Sequence, residues 1–145
     1  MKKIWLDMDG TMADLYGVEN WLPMLRANDP TPYRIAKPLV NMSALARLLR
    51  NRQKKGYMVC VLSALSKDST PAYDMAVMKA KIEWLKRHLP SVHFDEIRFV
   101  SYVTCKNDAN SGNDILFDDE ERHLNAWTGT AINAKNLLCE LKALA

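Results

Sequence analysis

Four short apolar runs in this chain each lead into a polar group capable of chemistry, and the stretches between them carry helical periodicity. Ile4, Trp5 and Leu6 end on Asp7-Met8-Asp9-Gly10, and residues 57–62 end on Ser63. Residues 97–103 are soon followed by Lys106, and Ile115, Leu116 and Phe117 end on Asp118-Asp119. Runs of this length and composition read as buried strands. Between them, Leu45, Leu48 and Leu49 fall at helical spacing within residues 39–54, with Gly56 as a stop. Residues 73–89 read as a long helix with Met75, Met78, Ile82 and Leu85 on its core face, ended by Pro90. A short fifth strand at 130–132 and a closing helix at 134–144 complete the pattern. Such alternation predicts an α/β, Rossmann-like, doubly wound and mostly parallel sheet, covered on both faces, with its active groups at one edge.

A length of 145 residues suits one domain, so residues 1–145 are read as a single unit. Residues 15–38 break the pattern: Trp21, Leu22 and Leu25 suggest a short helix, and then Pro30, Pro32 and Pro38 interrupt the chain. This segment is expected to be a small cap inserted after the first strand, closing over its end as a lid. Apolar residues at 48% and charged residues at 26% exclude a disordered chain. Twenty basic residues against seventeen acidic ones give a net charge of only +3, interleaved along the chain, so a nucleic-acid partner is not expected. No apolar run approaches the roughly 18 residues that cross a bilayer, so no membrane span is expected. Cys60, Cys105 and Cys139 form no CxxC pair and no leader pattern precedes the first strand, which together predict a reducing, cytoplasmic setting.

Asp7 and Asp9 lie two apart at a strand end, where an extended chain points both side chains to one side. Two close carboxylates repel, and a hard, oxygen-seeking cation such as Mg²⁺ relieves the repulsion. Gly10 permits the tight turn that follows. Alone, each element has a plainer explanation: a turn for Asp7-Met8-Asp9-Gly10 and Ser63, a surface position for Lys106, a helix start for Asp118-Asp119. Their common placement beyond successive strands, in the order carboxylate pair, hydroxyl, lysine, carboxylate pair, is what marks them as one site. Cys105 reads as a half-buried small hydrophobe. His88, His93 and His123 lack metal-ligand spacing and read as surface or capping residues.

Through Asp7-Met8-Asp9-Gly10-Thr11, Ser63, Lys106 and Asp118-Asp119 the sequence resembles the haloacid dehalogenase-like phosphatase superfamily. A narrower resemblance, to the 5'(3')-deoxyribonucleotidases, runs through residues 7–14, 81–89 and 97–119. It departs from that pattern at Ala64-Leu65, where serine and proline are usual, and at Asn113, which interrupts a usual Gly-Asp pair. The resemblance implies a Mg²⁺-dependent phosphomonoester hydrolase in which Asp7 forms an aspartyl-phosphate and Asp9 serves as general acid and base. It places phosphoryl oxygens on Ser63, on the backbone N–H groups of Asp9 and Ala64, and on Lys106. It places Mg²⁺ on Asp7, the Asp9 carbonyl and Asp118, with Asp119 as second ligand or orienting group. The implied substrate is a small phosphomonoester, foremost a nucleoside (deoxy)monophosphate, with Tyr16, Trp21 and Tyr33 as candidate stacking surfaces for its base. Three alternatives share these residues: a nucleic acid 3'-phosphatase, a receiver-like phosphorylation switch, and a catalytically silent binding protein.

Overall fold

The computed structural model describes residues 2–144. In chain order its elements are β1 (Lys3–Leu6), β2 (Ala13–Asp14), α1 (Trp21–Arg26), α2 (Thr31–Ile35), β3 (Lys37–Pro38), α3 (Met42–Lys54) and β4 (Met58–Ala64). There follow α4 (Pro71–His88), β5 (Glu96–Val100), β6 (Ile115–Asp118), α5 (Glu121–Ala126), β7 (Thr130–Asn133) and α6 (Leu137–Ala143). The five longer strands form one parallel sheet in the order β5-β4-β1-β6-β7.

Period-two alternation divides the side chains between two faces. Ile4 and Leu6, with Val59, Val61, Ile115 and Phe117, share a core with Leu45 and Leu49 of α3, Trp84 and Leu85 of α4, and Leu137 and Leu141 of α6. Trp5, Cys60, Leu62 and Leu116 form the other core, closed by Ala109 and Trp127. The expected two-sided cover is therefore uneven. Three helices pack on one face, while Lys3 and Arg98 lie over the Trp5 ring at 5.2 and 5.4 Å on the other. Asp114, just before β6, anchors that side by accepting bonds from Trp5 Nε1 (3.1 Å) and Ser111 N (2.9 Å).

Element ends follow local chemistry. Asn41 caps α3 by accepting from Ala44 N at 2.9 Å, and Thr70 caps α4 by accepting from Tyr73 N at 3.2 Å, with Pro71 at the first helical position. The third main strand ends at Val100, three residues short of expectation, because residues 101–104 turn on themselves through Thr104 N to Ser101 O (3.1 Å) and a Ser101–Thr104 hydroxyl bond (2.6 Å). The core face of α4 is also not the expected one. Met75 is 69% exposed, whereas Tyr73, Val77, Lys81, Trp84 and Leu85 are buried.

Within residues 15–38 the prolines start a helix as well as breaking one: Pro30 precedes α2 and Pro32 lies in its first turn. The ends of the segment are drawn together where β2 pairs antiparallel with β3. The remainder is tied to α4 by Tyr73 Oη to Asp29 O (3.0 Å), Trp84 Nε1 to Ala36 O (2.7 Å) and Arg87 Nη1 to Arg34 O (3.0 Å). No helix among the described residues is long and apolar enough to cross a membrane.

Candidate active site

Numbered among themselves, the parallel strands run 3-2-1-4-5, so the chain reverses its direction of travel across the sheet between β1 and β6. Ligand sites of open α/β sheets lie beyond the strand ends at such a reversal. Asp7 follows β1 there and Asp118 ends β6 beside it, with Asp7 N donating to Phe117 O at 3.0 Å. This order also removes the receiver reading, because receiver domains wind 2-1-3-4-5.

Beyond Asp7 the chain turns tightly, with Thr11, Met12 and Ala13 all donating to Met8 O at 2.9–3.1 Å. Gly10 occupies the left-handed region at φ +82°, and a Cβ on it would lie 2.2 Å from Asp119 Oδ2. Glycine is thus required twice, by backbone conformation and by the approach of Asp119. Gly10→Ala is expected to lower the melting temperature by about 2–8 °C, from roughly 1–2 kcal/mol of backbone strain. It is also expected to raise the Mg²⁺ concentration for half-maximal activity by displacing Asp119; a thermal melt and a metal titration check both.

One carboxylate oxygen each from Asp7, Asp118 and Asp119 lies within 4.8 Å of the others. Lys106 stands among them, donating to Asp7 Oδ1 at 2.8 Å and Asp118 Oδ2 at 2.7 Å. It sits in a 3₁₀ turn, Lys106–Ala109, rather than directly after a strand. Thr11 Oγ1 lies 3.2 Å from Asp7 Oδ2 and 3.4 Å from Asp119 Oδ1. Burial pushes the Asp7 carboxyl up, but the Lys106 charge and hydrogen bonds outweigh it and hold Asp7 below the usual range. Burial and the Asp7 charge push Asp118 up to about 6 and Asp119 up to about 8. One ammonium does not balance three carboxylates, and this all-oxygen set fits a hard divalent cation.

Asp9 does not join that cluster. Its carboxylate accepts from Lys81 Nζ at 2.9 Å, so the expected convergence of both side chains on one ion is met by Asp7 alone of the pair. Burial, reinforced by the Asp7 charge and opposed by Lys81, holds Asp9 above the usual carboxylate range. Ser63 also differs from expectation: it is 0% exposed and bonded to Lys81 at 2.6 Å, behind a cleft that Ala64 lines and Ser63 does not.

The cleft has a volume of about 570 Å³ and is lined by Asp7, Asp9 and Lys106 together with Tyr16, Trp21 and Tyr33. Tyr16 and Trp21 form an edge-to-face pair at 5.0 Å, with Tyr16 46% exposed. Tyr33 is buried: its hydroxyl bonds Ser66 Oγ at 2.6 Å and its ring lies 4.9 Å from Lys81 Nζ, so packing takes most of its surface. His123, expected as a surface or capping residue, is buried and lines the cleft. Burial, then the charges of Lys106 and Arg122, push its imidazole down to about 4 and keep it neutral. Arg122 stacks on Tyr102 at 4.6 Å, and both also line the cleft. Cys105 is exposed and carries no disulfide.

Lys81 is the residue the sequence reading passed over. Its signal was nonetheless present: Tyr73, Val77, Lys81 and Leu85 fall four apart on α4, so a lysine occupies the one charged position in an otherwise apolar stripe.

The fold, together with the family match at residues 38–138, makes this chain a phosphatase of the haloacid dehalogenase-like superfamily. Two solved structures share the fold across nearly the whole chain. One is D,D-heptose 1,7-bisphosphate phosphatase from B. bronchiseptica, complexed with magnesium and phosphate (TM-score 0.61, 17% identity, 100% of this chain and 89% of that one). The other is the enzyme of the same name from Burkholderia thailandensis (TM-score 0.58, 14% identity, 99% and 100%). No curated protein matches the sequence significantly. The chain belongs to the family described as 5' nucleotidase, deoxy (pyrimidine), cytosolic type C protein, whose model matches residues 38–138. That match takes in Ser63, Lys81, Lys106, Asp118 and Asp119 and stops short of Asp7, Asp9 and most of the 15–38 segment.

Proposed function

We propose that this chain hydrolyses nucleoside monophosphates through an aspartyl-phosphate on Asp7. The observation that carries the reading is the pairing, in one cleft, of an Asp7 held by Lys106 below the usual carboxylate range with an Asp9 that burial holds above it and Lys81 grips through one oxygen. An Asp7 oxygen bonds phosphorus as the ester P–O bond breaks, and Asp9 gives its proton to the departing alkoxide. Asp9 then takes a proton from water, the water oxygen bonds phosphorus, and the P–O bond to Asp7 breaks, releasing phosphate, restoring the Asp7 carboxylate and leaving Asp9 protonated as at the start.

Lys106 has two of its three donors on Asp7 and Asp118 and lines the cleft, so its third is free to serve a phosphoryl oxygen. The backbone N–H groups of Asp9 and Ala64 supply further donors. Mg²⁺ is the cation that suits Asp7, Asp118 and Asp119, with the Asp9 carbonyl as a further ligand; when bound it neutralises charge on the phosphoryl group and among the carboxylates. Residues 15–38 serve as a cap, tied to α4 by the hydrogen bonds of Tyr73, Trp84 and Arg87.

The test is a turnover screen over deoxynucleoside monophosphates, sugar phosphates, 3'-phosphorylated oligonucleotides and p-nitrophenyl phosphate, with Mg²⁺ and with excess chelator. Mononucleotide turnover that chelator removes is expected. Full activity in chelator rejects the metal assignment, and preference for the oligonucleotide rejects the substrate class. Within the cleft, Tyr16 and Trp21 present ring surface to a base. Trp21→Ala and Tyr16→Ala are each expected to lower kcat/KM on mononucleotides about 5- to 150-fold, the equivalent of roughly 1–3 kcal/mol of stacking. On p-nitrophenyl phosphate they should change it little. Equal effects on both substrates would remove stacking by these rings.

A further inference from the structure

Lys81 Nζ has no solvent exposure and three oxygen neighbours: Asp9 Oδ2 at 2.9 Å, Ser63 Oγ at 2.6 Å and the Ala64 carbonyl at 2.8 Å. An ammonium carries three donors and no acceptor, so this set exhausts it. The ring of Tyr33, 4.9 Å from the nitrogen, supplies a cation–π contact. Lys106 differs in kind, because it keeps a donor and borders the cleft. Two buried lysines therefore serve one site, and one of them has nothing left to offer a phosphate.

We infer that Lys81 is a positioning residue for proton transfer: it clamps Asp9 through Oδ2, so that the transferable proton resides on Oδ1, and Ser63 holds the clamp in place. The inference rests on the reading of Asp9 as the proton donor. A carboxylic oxygen that accepts a charged N–H bond is a poor site for a proton, which puts the proton on its partner. Ser63 and the Ala64 carbonyl lie at the end of β4, and Tyr33 comes from α2, so the ammonium is set from three elements. This also accounts for Ser63, which stands behind the cleft. Its hydroxyl acts on the reaction through Lys81.

Leaving-group chemistry separates this role from a structural one. A nucleoside alkoxide needs a proton as it departs; p-nitrophenolate does not. The parameter kcat/KM reports the steps through leaving-group release, so it isolates that event. Lys81→Met is expected to lower kcat/KM for a deoxynucleoside monophosphate by at least about 100-fold, within the range for loss of general-acid assistance. On p-nitrophenyl phosphate the loss should stay below about tenfold. Ser63→Ala should show the same asymmetry at smaller size, and it decides the matter if thermal melts show that Lys81→Met does not fold. Equal losses on the two substrates, or no loss on either, overturn the inference. Asp9→Asn is the control for the underlying reading. If it treats both substrates alike, Asp9 is not the acid; if it is selective while the Lys81 and Ser63 variants are not, the clamp alone is wrong.

Discussion

Asp7→Asn is expected to abolish multiple turnover and leave a folded protein. The amide keeps almost the volume of the carboxylate, and its oxygen can still accept the bond that Lys106 gives Oδ1 at 2.8 Å. What it lacks is the anionic oxygen that bonds phosphorus. Removal of a nucleophile in a covalent mechanism costs on the order of 10⁶ in kcat. Stability should change little, because two effects oppose. The net environment of Asp7, dominated by Lys106 once burial is overcome, favours its charge and is lost. The same charge helps push Asp118 and Asp119 up, and that strain is relieved. The melting temperature should stay within a few degrees of wild type. Retained multiple turnover in the purified variant would falsify the mechanism, whereas a lost cooperative melt would show that Asp7 holds the fold.

The parallel sheet was readable because its strands are short apolar runs with no competing period, and each ends where a polar residue interrupts it. The main errors came from places where a side chain answers to a partner distant in sequence. Lys81 looks like a surface lysine until Asp9, Ser63 and Ala64 converge on it from other elements, 72, 18 and 17 residues away. That ammonium draws the Asp9 side chain away from the carboxylate cluster and holds the Ser63 hydroxyl behind the cleft. The α4 face was misread for a related reason: a methionine counts as apolar in any periodicity, yet Met75 meets solvent and Lys81 fills the stripe. Asp7, Asp118, Asp119 and Lys106 were legible together because strand ends bring them to one edge whatever the details of packing. No local signal marked His123, whose burial depends on how α5 packs beside the 106–109 turn.

The structure also separates two uses of positive charge that the sequence presents alike. Lys106 has exchanged hydration for two carboxylates, Asp7 and Asp118, and burial would lower its ionisation were those two charges not raising it further. Lys106→Met removes that partner and keeps much of the side-chain volume. Breaking a buried ion pair from one side typically costs about 3–5 kcal/mol, which for a domain of this size corresponds to a fall in melting temperature of about 6–20 °C. The deficit should depend on pH with a definite sign. Burial and the neighbouring carboxylate Asp7 push Asp118 up to about 6 and Asp119 up to about 8, above the ordinary carboxylate value near 4, so the stability tied to their protonated forms is present in acid. It is lost as pH rises through those folded values, and without Lys106, whose charge and hydrogen bond hold Asp118 down, the Asp118 value moves higher still. The variant should therefore lie nearer wild type at pH 5 than at pH 8. Mg²⁺ should recover part of the loss at pH 8, since a cation at 100 times its Kd contributes about 2.7 kcal/mol. Activity should remain about 10²- to 10³-fold down even with Mg²⁺, because a donor to the phosphoryl group is gone. The measurement is a set of thermal melts at both pH values with and without Mg²⁺, beside kcat at saturating metal. Melting equal to wild type at pH 8 without metal would show that Lys106 does not balance the carboxylates, and wild-type kcat would take it out of catalysis.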